Sequence, residues 1–244
     1  MGRRFDPDRA HIKVNVIKGV SKVNVRGNIL EPIANKLVNL QNTFIQILLL
    51  RKIPSANVVN AQRLGTYYGG WWIPDTVTRT PNDFSFISCG LGHDVSFDSE
   101  LIAMGIRVLG VEAEERFISE IRNSGLESQD FVLLHARVGI NEPTEVNLQN
   151  LIDISREKFG TKRIGIKMDI EGAEYKVIFE ALDSKSLPEI LAFELDYMSL
   201  IPFLSFRMRI RRYRNSRKLL IKLANSGFRI YKQENWNLHF LRII

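Results

Sequence analysis

The 244-residue sequence has the composition of an ordinary soluble globular protein, with 45% hydrophobic residues, 25% charged residues and a net charge of +7. Its single cysteine excludes an internal disulfide framework and a cysteine-based zinc cluster, and suits a reducing compartment. The four histidines are scattered, with no pair at the spacing of metal ligands. We therefore expect a cytoplasmic protein without a bound metal.

The first 60 residues are predicted to form an arm that precedes the main domain. They begin with charged residues and lack the apolar core of a signal peptide, and the apolar run 44–50 is too short to span a bilayer. From Ile29 to Lys52 apolar residues recur at helical spacing, which predicts an amphipathic helix that packs on the domain or on a second subunit. Pro54 ends this helix. We divide the chain into an arm over 1–60 and a domain over 61–244, and homo-oligomerisation stays open.

A glycine turn lies between an apolar strand and the start of a helix, in the segment Phe84–Asp94. Gly90 and Gly92 lack the side chains that would keep a ligand away from the backbone, and the N–H groups at the start of the next helix attract an anionic group. About twenty residues after the turn, a second apolar strand ends at Glu112, whose carboxylate suits the two hydroxyls of a ribose. Together these features predict a site for a cofactor that contains adenosine.

The spacing of the glycines distinguishes between adenosine cofactors. A dinucleotide fingerprint has its third glycine three residues after the second, where this chain has Val95, and a Gly-Lys-Ser/Thr phosphate loop is absent as well. S-adenosylmethionine requires only that its amino-acid end and its adenosine end be held, for which a turn with two glycines suffices. The sequence therefore favours S-adenosylmethionine over NAD or FAD.

From residue 84 onward, segments typical of buried strands alternate with segments typical of helices. The strands are predicted at 84–89, 106–111, 131–136, 163–168 and 190–195. The helices between them are predicted at 95–104, 114–124, 147–159 and 172–183. The last residues are predicted to form a hairpin, with strands over Gly227–Lys232 and Leu238–Ile243. This order predicts an α/β protein with the Rossmann-like class I methyltransferase fold, which has a mostly parallel seven-stranded sheet and a C-terminal antiparallel hairpin.

Four segments near the predicted strand ends carry a family resemblance. They are Gly90–Asp98, Val108–Ala113, Ala136–Gly139 and Ile166–Glu174. The last contains Asp169-Ile-Glu-Gly-Ala-Glu174, which resembles the strand-end signature of the FkbM-type methyltransferases, and Glu194 resembles the next strand end of that family. The similarity covers the chain from about residue 65 onward. It implies a methyltransferase that uses S-adenosylmethionine.

The glycine turn departs from the pattern of this family at three positions. Ser88 stands where many relatives have an acid, and Asp94 where they often have a further glycine, so the contact to the cofactor's amine is expected at Asp94. His93 stands where glutamate is common, and it is a candidate for a cofactor contact or for the catalytic base. We therefore predict that the cofactor is held by a set that includes Gly90, Gly92, Asp94 and Glu112.

Three carboxylates are predicted to converge at the carboxyl ends of neighbouring strands, where parallel sheets bind their ligands. Asp169 and Glu171 follow one central strand, and Glu194 ends its neighbour. Because the methyl group of a sulfonium is already activated, the protein must mainly align an acceptor hydroxyl and remove its proton. We predict Asp169 and Glu194 as catalytic, and Asp169 and Glu171 as cofactor-binding. The alternatives are a helix cap at Asp169, helix-dipole contacts at Glu171 and Glu174, and an ion pair between Glu194 and an arginine.

Aromatic residues lie just before the first strand of the sheet. The segment Tyr67–Pro74 is predicted either to roof the pocket, with Gly69 and Gly70 as its bend, or to close the edge of the sheet through Trp71 and Trp72. His135 ends the third strand, where the adenine is expected, although a plain strand residue is the commoner reading.

Residues 207–222 hold eight basic side chains and no acidic one, which suits an anionic surface or acceptor, whereas a solvated helix face is the alternative.

Two functions are compatible with these features of the sequence. The first is O-methylation of a small-molecule or glycan hydroxyl, and the second is nucleic-acid binding or RNA methylation through this cluster. Base methyltransferases often end the fourth strand in Asn/Asp-Pro-Pro-aromatic, whereas this chain has Asp169-Ile-Glu-Gly172, and a rim of carboxylates repels phosphate. The sequence therefore favours the first function, without stably bound nucleic acid.

Overall fold

The computed structural model describes residues 43–57, 60–140, 142–183, 187–195 and 206–243. Residues from Ile45 onward form one compact unit, and the preceding unit, Met1–Phe44, lies outside the described ranges apart from its last two residues. The helix predicted from Ile29 is therefore described only in its final part, at 43–50. The division of the chain at residue 60 stays a prediction.

Strands and helices alternate along the described chain as the sequence predicts. The strands are β1 (Ala61–Leu64), β2 (Trp71–Pro74), β3 (Phe84–Cys89), β4 (Arg107–Glu112), β5 (Phe131–His135), β6 (Arg137–Val138), β7 (Glu145–Val146), β8 (Arg163–Met168), β9 (Ile190–Glu194), β10 (Phe228–Glu234) and β11 (Asn237–Arg242). The helices are α1 (43–50), α2 (Asp75–Arg79), α3 (Ser96–Ala103), α4 (Glu115–Ser124), α5 (Leu148–Phe159), α6 (Glu174–Ala181) and α7 (Phe206–Asn225). The strands and helices predicted from residue 84 onward are all present, with ends within two residues of their predicted positions.

Seven strands form the central sheet, in the order β10-β11-β9-β8-β3-β4-β5. The five strands from β9 to β5 in this order run parallel to one another. The C-terminal hairpin extends the sheet at the other edge, because β11 pairs antiparallel with both β9 and β10. This order confirms the class I methyltransferase fold and the antiparallel hairpin that the sequence predicts.

The parallel strands are apolar because helices or the β1–β2 ribbon cover both faces of the sheet. All of β3 is buried, as are the last five residues of β4 and of β8. One core cluster unites the sheet with α5, α6 and α7, through buried residues such as Leu151, Val177 and Leu220. The other unites it with α3 and the ribbon, through Phe97 and Trp71. Trp71 is therefore a core residue, which was one of the two alternatives for the aromatic segment.

The β1–β2 ribbon is attached to the C-terminal hairpin through buried polar contacts. The Tyr231 hydroxyl donates to the Trp72 carbonyl at 2.8 Å, and His239 Nε2 lies 3.3 Å from the Trp72 nitrogen. His239 Nδ1 lies 3.3 Å from the Lys232 carbonyl, so a neutral ring that donates through Nδ1 satisfies both contacts. Burial lowers the pKa of His239 to about 4, which favours that neutral form.

Candidate functional site

A cleft of about 670 Å³ opens at the carboxyl ends of the strands where the strand order reverses, between β3 and β8. Ligands bind at this position in open α/β sheets, because the loops after neighbouring strands diverge there. All the residues predicted for the site line this one cleft: Gly90, Gly92, His93, Asp94, Glu112, Asp169, Glu171 and Glu194. The structure thus brings these residues together, and the role of each stays a prediction.

The two glycines of the turn have different surroundings. Gly90 has a φ of +74°, and a Cβ at this position would overlap the carbonyl oxygen of Asp169. Gly92 has a φ of +61°, and a Cβ there would meet no atom within 4 Å. Gly90 is therefore required where β3 and β8 end side by side, whereas Gly92 leaves its backbone open toward the cleft.

Glu112 braces the glycine turn against the end of β4. Its side chain is 6% exposed, and its Oε2 accepts hydrogen bonds from the backbone N–H groups of Leu91 and Gly92, both at 3.0 Å. Its Oε1 accepts from the N–H groups of Ala113 and Glu114, at 2.7 and 2.8 Å. These four bonds use the usual acceptor capacity of a carboxylate. A ribose hydroxyl at Glu112 would therefore share or replace them.

Asp94 connects the glycine turn to the loop between β1 and β2. Its Oδ2 accepts a hydrogen bond from the Thr66 hydroxyl at 2.5 Å, and its Oδ1 accepts from the Ser96 N–H at 3.0 Å. Burial by itself raises the pKa of Asp94, but the hydrogen bonds from Ser96, Thr66 and the Gly69 backbone outweigh burial and hold the pKa below its ordinary value. Asp94 is thus ionised at neutral pH, as a contact to a cationic amine would require.

The loop after β1 presents two exposed tyrosines beside the cleft. Its backbone is fixed by the Arg63 guanidinium, which donates to the carbonyls of Thr66 and Tyr67 at 2.5 and 2.9 Å. Tyr67 and Tyr68 are nevertheless 95% and 91% exposed, and Tyr68 lines the cleft. The roof stays a prediction, for which Tyr68 is the exposed candidate, whereas Trp71 is buried in the core and also lines the cleft.

His93 and His135 differ in their position relative to the cleft. His93 lines it, with Nδ1 at 2.6 Å from Glu120 Oε2 and its ring packed edge-on against Phe117 at 4.4 Å. His135 is not among the described lining residues; its Nδ1 lies 3.2 Å from a carboxylate oxygen of Glu115. The adjacent lining of the cleft is formed by Ala136 and Val138, so the suggestion that His135 contacts the adenine is not supported.

The segment between β8 and α6 shows that two of the alternative readings for its acids are wrong. Helix α6 begins at Glu174 with Ala173 as its N-cap, so Asp169 does not cap it and Glu171 precedes its first turn, whereas Glu174 lies in that turn as predicted. Glu171 has a φ of +60°, which is unusual for a residue other than glycine. Glu174 is buried and its Oε1 accepts from the Ile170 N–H at 2.7 Å, which fixes the turn. Strained backbone of this kind is typical of ligand sites.

Neither Lys167, which lines the cleft, nor Asp98, which interacts with Lys167 from outside the described lining, was predicted as a site residue from the sequence. Lys167 lies in the middle of the sheet, is 6% exposed and lines the cleft. Asp98, in the first turn of α3, is 2% exposed and interacts electrostatically with Lys167. The sequence did contain an indication of this pair, because Lys167 lies inside the apolar strand Arg163–Met168. A charged residue in a strand that is covered on both faces requires a compensating partner.

Four residues of the basic cluster lie on one face of α7. The side chains that line a shallow groove there are Arg207, Ile210, Arg211, Arg214, Asn215 and Lys218. We call Arg207, Arg211, Arg214 and Lys218 the basic stripe. All four are exposed, whereas Leu219, Leu220 and Leu223 on the opposite face are buried. Lys222 lies outside the stripe and pairs with Asp183 at 2.7 Å.

No group of three or more His, Cys, Asp or Glu side chains in the described parts of the chain is arranged to hold a metal ion. Nor does any helix that the structure describes have the length and apolar character needed to cross a bilayer.

No family model and no curated protein matches the sequence. Similar solved structures include a protein from Staphylococcus aureus assigned as a caffeoyl-CoA O-methyltransferase, at 14% identity over 87% of this chain and 98% of that chain, with a TM-score of 0.44. A methyltransferase from Podospora anserina with bound S-adenosylhomocysteine matches at 10% identity over 100% and 99% of the two chains, with a TM-score of 0.41. An S-adenosylmethionine-dependent methyltransferase from Mesorhizobium loti matches at 10% identity over 65% and 90%, with a TM-score of 0.36. The fold assignment itself rests on the strand order and on the terminal hairpin.

Proposed function

We propose that this protein is an FkbM-type methyltransferase that transfers a methyl group from S-adenosylmethionine to a hydroxyl of a small molecule or glycan. One observation carries the proposal. The glycine turn, Glu112, Asp169 and Glu194 come from four different strand ends and line a single cleft at the reversal of strand order.

The cleft suits this cofactor in size and in chemistry. Its volume of about 670 Å³ falls within the range of small-molecule sites. Apolar side chains such as Leu91, Val111 and Val138 line it where the adenine would pack. Asp94, Asp169 and Glu171 offer carboxylates to the cationic amine of the amino-acid end. When bound, S-adenosylmethionine supplies a sulfonium methyl group that is already activated for attack by an oxygen nucleophile.

The carboxylates at the ends of β8 and β9 are assigned different roles, one in holding the cofactor and the other in removing a proton from the acceptor. The acceptor hydroxyl would give its proton to one of these carboxylates as its oxygen bonds to the methyl carbon, and the electron pair of the broken carbon–sulfur bond would stay on sulfur. Asp169 adjoins Gly90, so it acts near the amino-acid end of the cofactor. Glu194 ends the strand beyond β8 and lies farther from the glycine turn, so it is the better candidate for the base.

Binding and turnover measurements test this proposal. Calorimetric titration of the wild type with S-adenosylhomocysteine should show binding at one site, and labelled S-adenosylmethionine should transfer its methyl group to members of a glycan or small-molecule pool. Once an acceptor is identified, Glu194→Gln should lower turnover about 10²–10⁴-fold with cofactor affinity kept. Asp169→Asn should impair both quantities. The absence of any binding of S-adenosylhomocysteine by the folded wild type would contradict the proposal.

The basic stripe supports a second candidate function. Four exposed cations on one helix face suit a row of phosphates, so nucleic-acid binding or RNA methylation remains the alternative, and an anionic acceptor or surface is the expectation under the first proposal. Nucleic acid that co-purifies, seen as absorbance at 260 nm and lost as salt is raised, would favour the alternative. Purification without nucleic acid at low salt would favour the first function.

A further inference from the structure

Lys167 is buried at a position where the charge of a lysine destabilises the folded protein unless it is compensated. It lies on β8, between β3 and β9, and its ammonium Nζ donates to the Gly90 carbonyl oxygen at 2.5 Å. The ammonium also lies 5.6 Å from the centre of the Trp71 ring. Because a buried charge is destabilising unless it is compensated, Lys167 calls for an explanation beyond packing.

Asp98, in the first turn of α3, compensates part of this charge. Burial raises the pKa of Asp98 to about 6, and attraction to the Lys167 ammonium opposes the rise. In the part of the chain that the structure describes, Asp98 Oδ1 and the Ser88 hydroxyl are buried without a completed hydrogen bond. The attraction between the two groups therefore offsets part of the cost of burying the lysine, and Asp98 is not among the described residues that line the cleft.

The other cations of the cleft lie at its rim. Seven carboxylates line it against four cations, so the cleft as a whole repels an anionic group. Arg116 and Lys176 are exposed, and Arg116 pairs with Glu114 at 2.7 Å. Arg137 is also exposed, in β6. Among the described cations that line the cleft, Lys167 is the one that contacts the glycine turn.

The geometry points to Lys167 as the group that receives the α-carboxylate of the cofactor's amino-acid end. This inference rests on the proposed function, because it assigns a residue to the same cofactor. An ammonium has three N–H donors, and within the described ranges Gly90 accepts one of them, which leaves two for the oxygens of a carboxylate. Charge-assisted hydrogen bonds are the stronger ones, and burial strengthens them further. Neighbouring carboxylates take the amine, so both charges of the amino acid are matched.

Paired ligands test this inference without any acceptor. S-adenosylhomocysteine carries the carboxylate, and its decarboxylated analogue keeps the amine, the sulfur and the adenosine. Calorimetry should show that the wild type prefers the carboxylated ligand about 10- to 100-fold. Lys167→Met should lose that preference, by weaker binding of S-adenosylhomocysteine with unchanged binding of the analogue. Lys167→Arg should retain most of the preference.

Lys176→Met is the matched control, because it removes an ammonium from the rim of the same cleft. Lys176→Met should keep the preference for S-adenosylhomocysteine over its decarboxylated analogue. If Lys176→Met loses this preference and Lys167→Met keeps it, the inference is overturned. Equal weakening of both ligands by Lys167→Met would also overturn it, because the lysine would then act only by holding Gly90. Wild type that binds neither ligand would contradict the proposed function and the inference with it.

Lys167→Met leaves Asp98 buried without its cation, so its folding is checked by thermal unfolding. If the single variant does not fold, Lys167→Met combined with Asp98→Asn removes both charges at once. This double variant should show the same loss of preference for the carboxylated ligand. A double variant that folds and still prefers S-adenosylhomocysteine as strongly as the wild type would overturn the inference.

Discussion

The glycine turn at Gly90–Gly92 and the basic stripe of α7 differ in how the rest of the protein holds them. The turn is fixed by contacts to two other strands: Glu112 at the end of β4 accepts two of its N–H groups, Lys167 in β8 donates to its first carbonyl, and Asp169, directly after β8, passes close to Gly90. The stripe projects into solvent from a helix whose opposite face is buried. Substitutions at the turn should therefore change folding and binding together, whereas substitutions at the stripe should change binding alone.

The largest effect is expected at Gly90. A Cβ at this position overlaps the Asp169 carbonyl and the φ of +74° is strained for alanine, so Gly90→Ala should lower the unfolding free energy by about 3 kcal/mol or more, or prevent folding. Gly92→Ala, which meets no neighbouring atom, should cost only about 1 kcal/mol. Urea unfolding of the two variants measures the difference. Equal losses of unfolding free energy in the two variants would show that Gly90 is not held more tightly by its neighbours than Gly92.

Gly92→Ala also tests the cofactor assignment, because the variant is expected to fold. Its new methyl group would stand on the side of the turn that is open toward the cleft. If it binds S-adenosylhomocysteine as tightly as the wild type, the turn is not the cofactor loop.

The next largest effect is expected at Glu112. Glu112→Gln replaces one carboxylate oxygen by an NH₂ group, which leaves two of the four bonded backbone N–H groups facing a donor. We expect the unfolding free energy to fall by about 2–4 kcal/mol, and the affinity for S-adenosylhomocysteine to fall as well. Denaturant unfolding and calorimetry measure the two losses separately. Glu114→Gln, two residues away and exposed, should change stability by less than about 0.5 kcal/mol. If Glu112→Gln is as stable as the wild type, the Glu112 carboxylate does not stabilise the glycine turn.

Asp98 makes the stability of the folded protein depend on pH. Its pKa is about 6 in the folded protein against 3.8 for an unperturbed aspartate, so the folded state holds the proton more tightly. The contribution of this group to stability therefore increases as pH falls through 6 toward 4, by about 3 kcal/mol at most. Asp98→Asn should remove that increment, so its unfolding free energy relative to wild type should decline between pH 7.5 and 4. Asp153→Asn, on the exposed face of α5, serves as the control. A constant difference between Asp98→Asn and wild type would contradict the prediction.

The smallest effect on the fold is expected from the stripe. Arg211→Glu with Arg214→Glu should leave stability within about 0.5 kcal/mol and leave the affinity for S-adenosylhomocysteine unchanged. Binding to anionic vesicles or to a single-stranded RNA at low salt should fall more than about tenfold if the stripe is a binding surface. Lys158→Glu with Lys162→Glu makes the same charge change outside the stripe and should have a smaller effect. Wild type that binds no polyanion would favour a solvated face.

The sequence by itself determined the order of strands and helices and the residues that meet in the cleft. Strands such as 84–89 and 163–168 were predicted to the residue, because a strand covered on both faces must be almost continuously apolar. Because the carboxyl ends of parallel strands share one edge, the motifs that follow them had to meet once that order was known. Gly90, Glu112, Asp169 and Glu194 were located together in this way.

Only the tertiary structure decided what each of these residues contacts. Lys167 and Asp98 are far apart in the sequence, and no local pattern shows that a buried acid compensates a buried lysine. Glu112 was predicted to bind a ribose, yet its four hydrogen bonds go to the backbone of the turn and of its own strand end. The physical reason is that periodicity reports which side of an element is buried, whereas hydrogen-bond partners depend on distances between elements that packing alone sets.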